Sequence, residues 1–174
     1  ATVDQIDANE ELARRRAILS ALGVEYSGEE DINSTYEQDI VGDVDAGLFV
    51  YEGPAGTVYA KRFIGAGLWG SIEGFLAVSG DFDQLVGLEI VDHNETPGLG
   101  GRITEPWFKE QFEGERIPED GFEVTGGGDG DDDKTNGAVD GVTGATRTSE
   151  SIETIVRTQL DALQSDSVQE QLRA

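Results

Sequence analysis

The hydrophobic positions near the start of the chain predict a helix over residues 4–22. Apolar and long side chains recur there at helical spacing along one face: Ala8, Leu12, Arg15, Leu19 and Leu22, with Ile18 beside them. Gly23 is well placed to end this helix, since glycine adopts the left-handed backbone conformation that is common after helices. The next stretch, residues 27–43, is acidic and broken, so we interpret it as loop or short turns.

Four strand-like runs follow, at residues 48–52, 57–64, 71–79 and 85–92. Short glycine-containing turns separate the first run from the second and the third from the fourth. Such connections indicate antiparallel pairing, because parallel neighbours need a crossover of about a dozen residues or more. The sequence therefore predicts an α+β fold, an antiparallel β-sheet with helices packed on it.

The second half of the chain adds two helices and one short strand. Residues 104–112 predict a short helix with Pro106 at its first position and an apolar face of Trp107, Phe108, Gln111 and Phe112. A longer amphipathic helix is marked by Ile152, Ile155, Val156, Leu160 and Leu163. Residues 122–125 are interpreted as a last strand, and residues 165–174 as a polar tail that frays.

The stretch between that strand and the long helix carries candidate chemistry. Residues 140–149 read Asp-Gly-Val-Thr-Gly-Ala-Thr-Arg-Thr-Ser, and the spacing predicts that the helix starts near Ser149. Small residues before a helix leave its first amides exposed, and these amides and the helix dipole both favour an anion. Arg147 adds a cationic fork. The pattern fits a phosphate site, and an ordinary turn with a helix cap stays open as the alternative.

Two other glycine-containing stretches suggest close approach of a ligand to the backbone. In Gly67-Leu68-Trp69 the glycine and tryptophan could form a bulged turn with a core anchor, or could admit a flat aromatic ligand. Residues 95–100, Glu-Thr-Pro-Gly-Leu-Gly, predict a turn with proline at its second position and glycine at its third. His93, just before it, is interpreted as a hydrogen-bonded loop residue rather than a catalyst.

Composition narrows the classes of partner. The chain has 174 residues, 36 of them acidic and 12 basic, for a formal net charge of −24. This charge argues against nucleic acid and anionic membrane surfaces as partners and suggests adaptation to high salt. The periodic apolar segments disfavour the alternative of a disordered acidic chain. The cluster Arg14–Arg16 is interpreted as a solvated helix face rather than a binding patch.

Cysteine and the glycine–aspartate loop bear on metal chemistry. The sequence contains no cysteine, which excludes disulfides, thiolate metal sites and cysteine nucleophiles. The loop at residues 126–137 offers spaced aspartates, yet its sixth calcium-loop position is Lys134 instead of glycine and its twelfth is Asp140 instead of glutamate. We interpret this loop as solvated and mobile, and predict no metal ligand.

Residues 140–146, Asp-Gly-Val-Thr-Gly-Ala-Thr, resemble the flavinylation signature of the FMN-binding domain family. The resemblance implies that Thr146 carries FMN through a phosphoester bond made by a flavin transferase. It also implies that Asp140 positions the loop or is read by the transferase. The stretches at residues 67–69 and 95–100 resemble the family's other hallmarks, which lie near the flavin ring. The implied FMN-binding residues are Thr146, Asp140, Thr143, Gly144, Ala145, Arg147, Thr148, Gly67, Leu68, Trp69, Glu95, Thr96, Pro97, Gly98, Leu99 and Gly100.

The first helix refines the resemblance. The pattern of residues 8–19 is similar to the first soluble helix in the family of C subunits of sodium-translocating NADH:quinone reductases. This implies an electron relay without catalytic residues of its own, partnered by the other subunits of a membrane complex. An N-terminal membrane anchor is expected upstream, with the domain on the outer face. The division that follows is an anchor-linked helix at 1–23, an FMN-binding domain at 24–164 and a frayed tail at 165–174.

Two alternatives remain at this point. The corresponding G subunit of the ferredoxin:NAD oxidoreductase complex shares the motifs at residues 95–100 and 143–146, and the neighbouring subunits would distinguish it. The other alternative is a non-enzymatic acidic binding module, in which the loop before the long helix is only a cap. That module would carry no flavin.

Overall fold

The computed structural model describes residues 2–173. Its first element is helix α1, Val3–Ala21, which confirms the predicted helix to within one residue at each end. Gly23 follows with a φ of +71°, a left-handed conformation that glycine adopts without steric cost. The first turns of α1 are exposed, and Ile18, Leu19 and Leu22 are buried at its other end.

The interpretation of residues 27–43 as loop or short turns was wrong. A 3₁₀ turn at Glu29–Asp31 leads into helix α2, Ile32–Asp39, and then strand β1, Ile40–Asp43. Helix α2 has little apolar pattern because only Ile32 is buried in it, so tertiary contacts stabilise it. Arg15 of α1 donates hydrogen bonds to Asn33 Oδ1 at 3.1 Å and to Glu37 Oε1 at 2.9 Å.

The sheet confirms the predicted antiparallel pairing. Strand β1 is followed by β2, Leu48–Gly53, β3, Gly56–Ala66, β4, Ser71–Ser79, and β5, Leu85–His93. The spatial order is β1-β2-β3-β4-β5, and each strand pairs antiparallel with the next. The sheet is therefore a simple meander.

Helices cover both faces of this sheet. Along β4, Phe75 and Ala77 belong to a core shared with α1 and α2, while Leu76 and Val78 belong to a second core. Side chains of a strand alternate between its faces, so a strand buried on both sides reads as a continuous apolar run. The second core includes Ile152 and Val156 of the long helix near the end of the chain.

The segment after β5 builds this second layer. It contains a 3₁₀ turn at Gly100–Thr104, helix α3, Pro106–Lys109, and a further 3₁₀ turn at Glu110–Phe112. Strands β6, Glu123–Val124, and β7, Ala138–Val139, pair in parallel. The predicted aromatic face is confirmed, since Phe108 and Phe112 are fully buried and Trp107 packs against the same core.

The last two helices differ from the prediction at their bounds. Helix α4 spans Thr146–Gln164, so it begins three residues before the predicted start at Ser149. Helix α5, Asp166–Arg173, replaces the expected frayed tail. It is held because Val168 and Leu172 pack against the core and Gln169 Nε2 donates a hydrogen bond to Leu163 O at 2.7 Å. Within residues 2–173, none of the helices has the length and apolar character needed to cross a membrane.

Candidate functional site

The loop before α4 is a tight turn that Ser149 holds from the helix side. Ala145 N donates to Val142 O at 2.9 Å, and Gly144 has a φ of +80°, as the third position of a type II turn requires. The buried Ser149 Oγ accepts from Val142 N at 3.0 Å and donates to Ala145 O at 3.1 Å. The loop therefore has a defined shape that leaves the next residue, Thr146, exposed.

The first turn of α4 has the features of an anion site. The residue before the helix is Ala145, which supplies no side-chain cap. In the described part of the chain, no protein acceptor is found for the backbone amides of Thr146, Arg147 and Thr148. Unpaired amides and the helix dipole both favour negative charge at this position. The exposed Arg147 adds a cation, and the exposed hydroxyls of Thr143 and Thr146 flank the same turn.

Glu95 joins the three glycine-containing stretches. Its side chain is only 3% exposed. Oε1 accepts from Trp69 N at 3.1 Å, and Oε2 accepts from the hydroxyl of Thr148 on α4. A β-carbon at Gly67 would lie 2.5 Å from Oε1, and one at Gly100 would lie 2.9 Å from Oε2. Glycine is required at both positions because the carboxylate, joined at Gly100 by the Thr148 hydroxyl, fills the space that a side chain would occupy.

Exposed apolar side chains surround this end of the molecule. Leu68 is 41% exposed, Trp69 68% and Leu99 47%. Leu99 Cδ2 lies 3.8 Å from where a β-carbon would sit at Gly144, so the 95–100 turn is adjacent to the loop before α4. The exposure of Trp69 excludes the alternative that it anchors the core. An apolar rim beside an anion site fits a flat aromatic ligand with a phosphate tail.

The 95–100 turn has the predicted geometry. Leu99 N donates to Thr96 O at 3.1 Å, and Gly98 has a φ of +74°.

A cleft of about 400 Å³ lies between the 66–68 backbone and the first turns of α4, and is lined in part by Leu68 and Arg147. His93 is hydrogen-bonded as predicted, its Nδ1 accepting from Glu95 N at 3.0 Å, but it is the last residue of β5 and not a loop residue.

The structure places the predicted site residues in two groups. Residues 67–69, 95–100 and 143–148 come together around the start of α4, although Thr148 is buried and its hydroxyl is donated to Glu95. Asp140 instead contacts the glycine–aspartate loop and Thr125, the residue just before it. Its Oδ1 accepts from Thr125 Oγ1 at 3.1 Å, and its Oδ2 accepts from Gly130 N at 3.2 Å.

Two polar residues that shape the site were not predicted from the sequence. Ser149 was recognised only as a hydroxyl at the expected helix start, and Gln111 was assigned to an apolar face. Gln111 is 4% exposed, and its side chain binds the backbone of Asp140. The available signal was its polarity among the aromatic residues of that face, since a buried amide must find hydrogen-bond partners.

Glu115 holds the other end of the glycine–aspartate loop. It is fully buried, and its Oε1 accepts from Gly137 N at 2.8 Å and from Arg116 N at 3.2 Å. Burial raises the pKa of this carboxyl above its ordinary value, and these two backbone hydrogen bonds partly offset the effect. The folded chain therefore keeps this proton to higher pH than the unfolded chain does. The protonated carboxyl favours folding, and this contribution to the free energy of unfolding is lost as pH rises from the pKa of the unfolded chain through that of the folded chain.

The aspartates of this loop bind neighbouring donors in the protein. Asp133 Oδ1 accepts from Thr135 N at 3.0 Å, and Asp131 Oδ2 accepts from Asn136 Nδ2 at 2.7 Å. Across residues 2–173, no group of three or more histidine, aspartate or glutamate side chains is arranged to hold a metal ion.

Known proteins resemble this chain over the region that contains the candidate site. The family model described as FMN-binding domain matches residues 67–161. The chain is 40% identical over 101 residues to the C subunit of the Na(+)-translocating NADH-quinone reductase of Chlamydia muridarum, covering 48% of this chain and 32% of that protein. It is 32% identical over 135 residues to the subunit of the same name from Vibrio anguillarum, covering 71% and 51%. The chain thus spans about a third to a half of these relatives.

Solved structures extend the likeness to nearly the whole chain. The C subunit of the Na(+)-translocating NADH-quinone reductase of Parabacteroides distasonis superposes with a TM-score of 0.73 at 25% identity, covering 94% of this chain and 96% of that one. Shewanella oneidensis NqrC shares the fold with a TM-score of 0.72 at 21% identity, covering 89% and 99%. The matched residues 67–161 include all three stretches that meet at the start of α4, and the chain belongs to the FMN-binding domain family.

Proposed function

We propose that this chain is the flavin-carrying C subunit of a sodium-translocating NADH:quinone reductase, with FMN attached through a phosphoester to Thr146. The observation that supports this most directly is the exposed Thr146 on the first turn of α4, beside unpaired backbone amides and the apolar rim of Leu68, Trp69 and Leu99. The relatives named as the C subunit of that reductase support the choice of complex.

The residues divide the work of holding the cofactor. Thr146 Oγ1 provides the ester oxygen, and the first amides of α4 with Arg147 bind the phosphate. Leu68, Trp69 and Leu99 frame the ring. Glu95 and Thr148, both buried, hold these stretches together. FMN supplies the electron-transfer chemistry, and the protein supplies orientation and local electrostatics.

Attachment requires an activated donor. A threonine hydroxyl reacts poorly with the phosphate of free FMN, because that phosphate has no good leaving group. The flavin phosphate would therefore be supplied as part of a phosphoanhydride, bound by a flavin transferase. Thr146 Oγ1 would supply the ester oxygen, its new bond to phosphorus forming as the anhydride bond breaks. The leaving phosphate would keep the bridging oxygen, and the hydroxyl proton of Thr146 would pass to a base of the transferase. No electron is gained or lost in this step.

The remaining features of the proposal concern the assembly. The other subunits of the complex would deliver electrons to the flavin and remove them. A membrane anchor upstream of α1 would hold the domain at the outer face. Co-purification of the full-length protein with the complex from native membranes tests the choice of assembly, because the subunits of a ferredoxin:NAD oxidoreductase would identify the alternative.

Intact mass measures the covalent site directly. Co-expression with a flavin transferase is expected to add roughly 438 Da, the mass of FMN less water. Thr146→Ala removes the ester oxygen and is expected to show no gain, whereas Thr146→Ser keeps a hydroxyl and is expected to be labelled. Thr158→Ala is a matched control, because Thr158 is also exposed on α4 and lies three turns away.

Two outcomes of the mass measurement would contradict the attachment at Thr146. No gain in the wild-type chain, with a transferase that labels a control substrate, would contradict the covalent attachment and favour the acidic binding module. A gain that persists in Thr146→Ala would place the linkage on another hydroxyl.

A further inference from the structure

Gln111 bridges two segments that lie far apart in the sequence. Its Oε1 accepts from Asp131 N at 2.7 Å and from Asp140 N at 2.8 Å, and its Nε2 donates to Asp140 O at 3.1 Å. The side chain is 4% exposed, so these bonds are shielded from water. One buried amide thus connects the glycine–aspartate loop with the segment that leads to Thr146.

The contact with Asp140 imitates strand pairing. Thr125 N donates to Val139 O at 2.9 Å, so this group of β7 faces β6. Successive backbone groups of a strand point to opposite sides, and those of Asp140 therefore point away from β6. Gln111 meets both of them and occupies the place of a third strand just where β7 ends.

The path from Asp140 to Thr146 is fixed at several points once Asp140 is held. A β-carbon at Gly141 would collide with the carbonyl oxygen of Thr125. Val142 N is bound by Ser149 Oγ, and Gly144 completes the turn before α4. A displacement of Asp140 would therefore be transmitted to the residue that carries the candidate linkage.

We propose that Gln111 is a positioning residue for flavin attachment: it holds Asp140 so that Thr146 is presented to the transferase in one geometry. This inference rests on the proposed covalent function. Among the described residues, the side-chain hydrogen bonds of Gln111 go to Asp131 and Asp140 and not to Thr146. Its action is to remove freedom from the loop before the transferase binds, which favours the reaction through orientation.

The test compares two buried glutamines. Gln111→Met keeps the length of the side chain and removes all three hydrogen bonds. Gln159→Met is the matched control, since Gln159 is 8% exposed and its Oε1 accepts from Lys61 Nζ at 3.0 Å, far along α4 from Thr146. The initial rate of flavin incorporation is measured by intact mass at a temperature where both variants are folded. Gln111→Met is expected to be slower by about tenfold or more, since misplacement by about 1 Å can cost on the order of 100-fold.

Amide hydrogen exchange separates positioning from a general loss of structure. Gln111→Met is expected to accelerate exchange at residues 140–145 while leaving β3 to β5 unchanged. A wild-type rate of flavin incorporation in Gln111→Met would overturn the role of Gln111, and so would an equal loss of rate in Gln159→Met. Neither result would contradict the attachment at Thr146. No incorporation into the wild-type chain by an active transferase would overturn the attachment itself and this role with it.

Discussion

Among single residues, the buried carboxylate of Glu95 shows how one side chain joins two loops and the start of a helix into one site. It accepts a hydrogen bond from Trp69 N, in the turn between β3 and β4, and another from Thr148 on α4. Gly67 and Gly100 leave the space that this carboxylate fills. The motif at residues 95–100 therefore forms a turn beside the site and also supplies Glu95, whose hydrogen bonds hold the parts of the site together.

Replacing Glu95 tests this role through stability. Glu95→Ala leaves the Trp69 amide and the Thr148 hydroxyl without their acceptor, and hydrogen bonds to charged groups contribute about 1.5–3 kcal/mol each. We expect Glu95→Ala to lower the free energy of unfolding by roughly 3–6 kcal/mol, measured by urea denaturation. Glu95→Gln, which keeps an oxygen and gains a donor, is expected to lose much less. Equal losses in both variants would contradict the proposed pairing.

Residue types near the site could be predicted, and their contacts could not. The small residues at 140–149 predicted an anion site, because they leave the first amides of the following helix open, and the role of Thr146 was what the resemblance to the FMN-binding domain family implied. Thr148 was assigned to the same group of ligands, although its hydroxyl is buried against Glu95. That contact joins residues 53 positions apart, and no local pattern encodes such a partner.

At the scale of elements, the agreement follows the strength of the local pattern. Strand β4 was predicted at its observed bounds, Ser71–Ser79, because its apolar run lies between clear turns. Helix α2 was missed because Ile32 is its only buried residue and its other stabilising contacts come from α1. The start of α4 was placed three residues late because Ala145, the residue before the helix, supplies no side-chain cap that would mark the start, and Ser149 lies within the first turn.

The contact between α1 and the sheet offers a test at this scale. A β-carbon at Gly87 of β5 would lie 2.5 Å from Ala21 O at the end of α1. Gly87→Ala is therefore expected to push α1 off the sheet and to destabilise the chain by about 1–3 kcal/mol, as overpacking does. Gly126→Ala is the control, since a β-carbon there meets nothing within 4 Å. Thermal unfolding measures both, and equal melting temperatures would contradict the close packing.

At the scale of the whole molecule, charge dominates. With 36 acidic and 12 basic residues, 24 carboxylates would remain unpaired even if every cation had a partner. Arg15 already binds both Glu11 and Glu37, so cations are shared among acids. Self-repulsion of this kind opposes a compact fold and weakens as salt shortens its reach. We propose on this basis that the protein is adapted to high salt.

Salt dependence tests that proposal. The screening length falls from about 10 Å at 0.1 M salt to about 3 Å at 1 M. Raising KCl through this range is expected to increase stability by about 2 kcal/mol, which corresponds to a rise in melting temperature of about 4–8 °C for a chain of this size. Calorimetry is the measurement. A variant with the exposed Asp129, Asp132 and Glu119 made neutral is expected to show a smaller rise, and a flat or falling wild-type curve would contradict the proposal.

The meander order of the sheet also has a consequence for the sequence of events in folding. Each strand pairs with its neighbour along the chain, so the sheet can form from contacts that close short loops. The contacts that shape the loop before α4 are remote, since Gln111 reaches Asp140 across 29 positions and Glu95 reaches Thr148 across 53. We expect this loop to become ordered last. Attachment at Thr146 would then act as a maturation checkpoint, because only a chain that has completed its fold would receive the flavin.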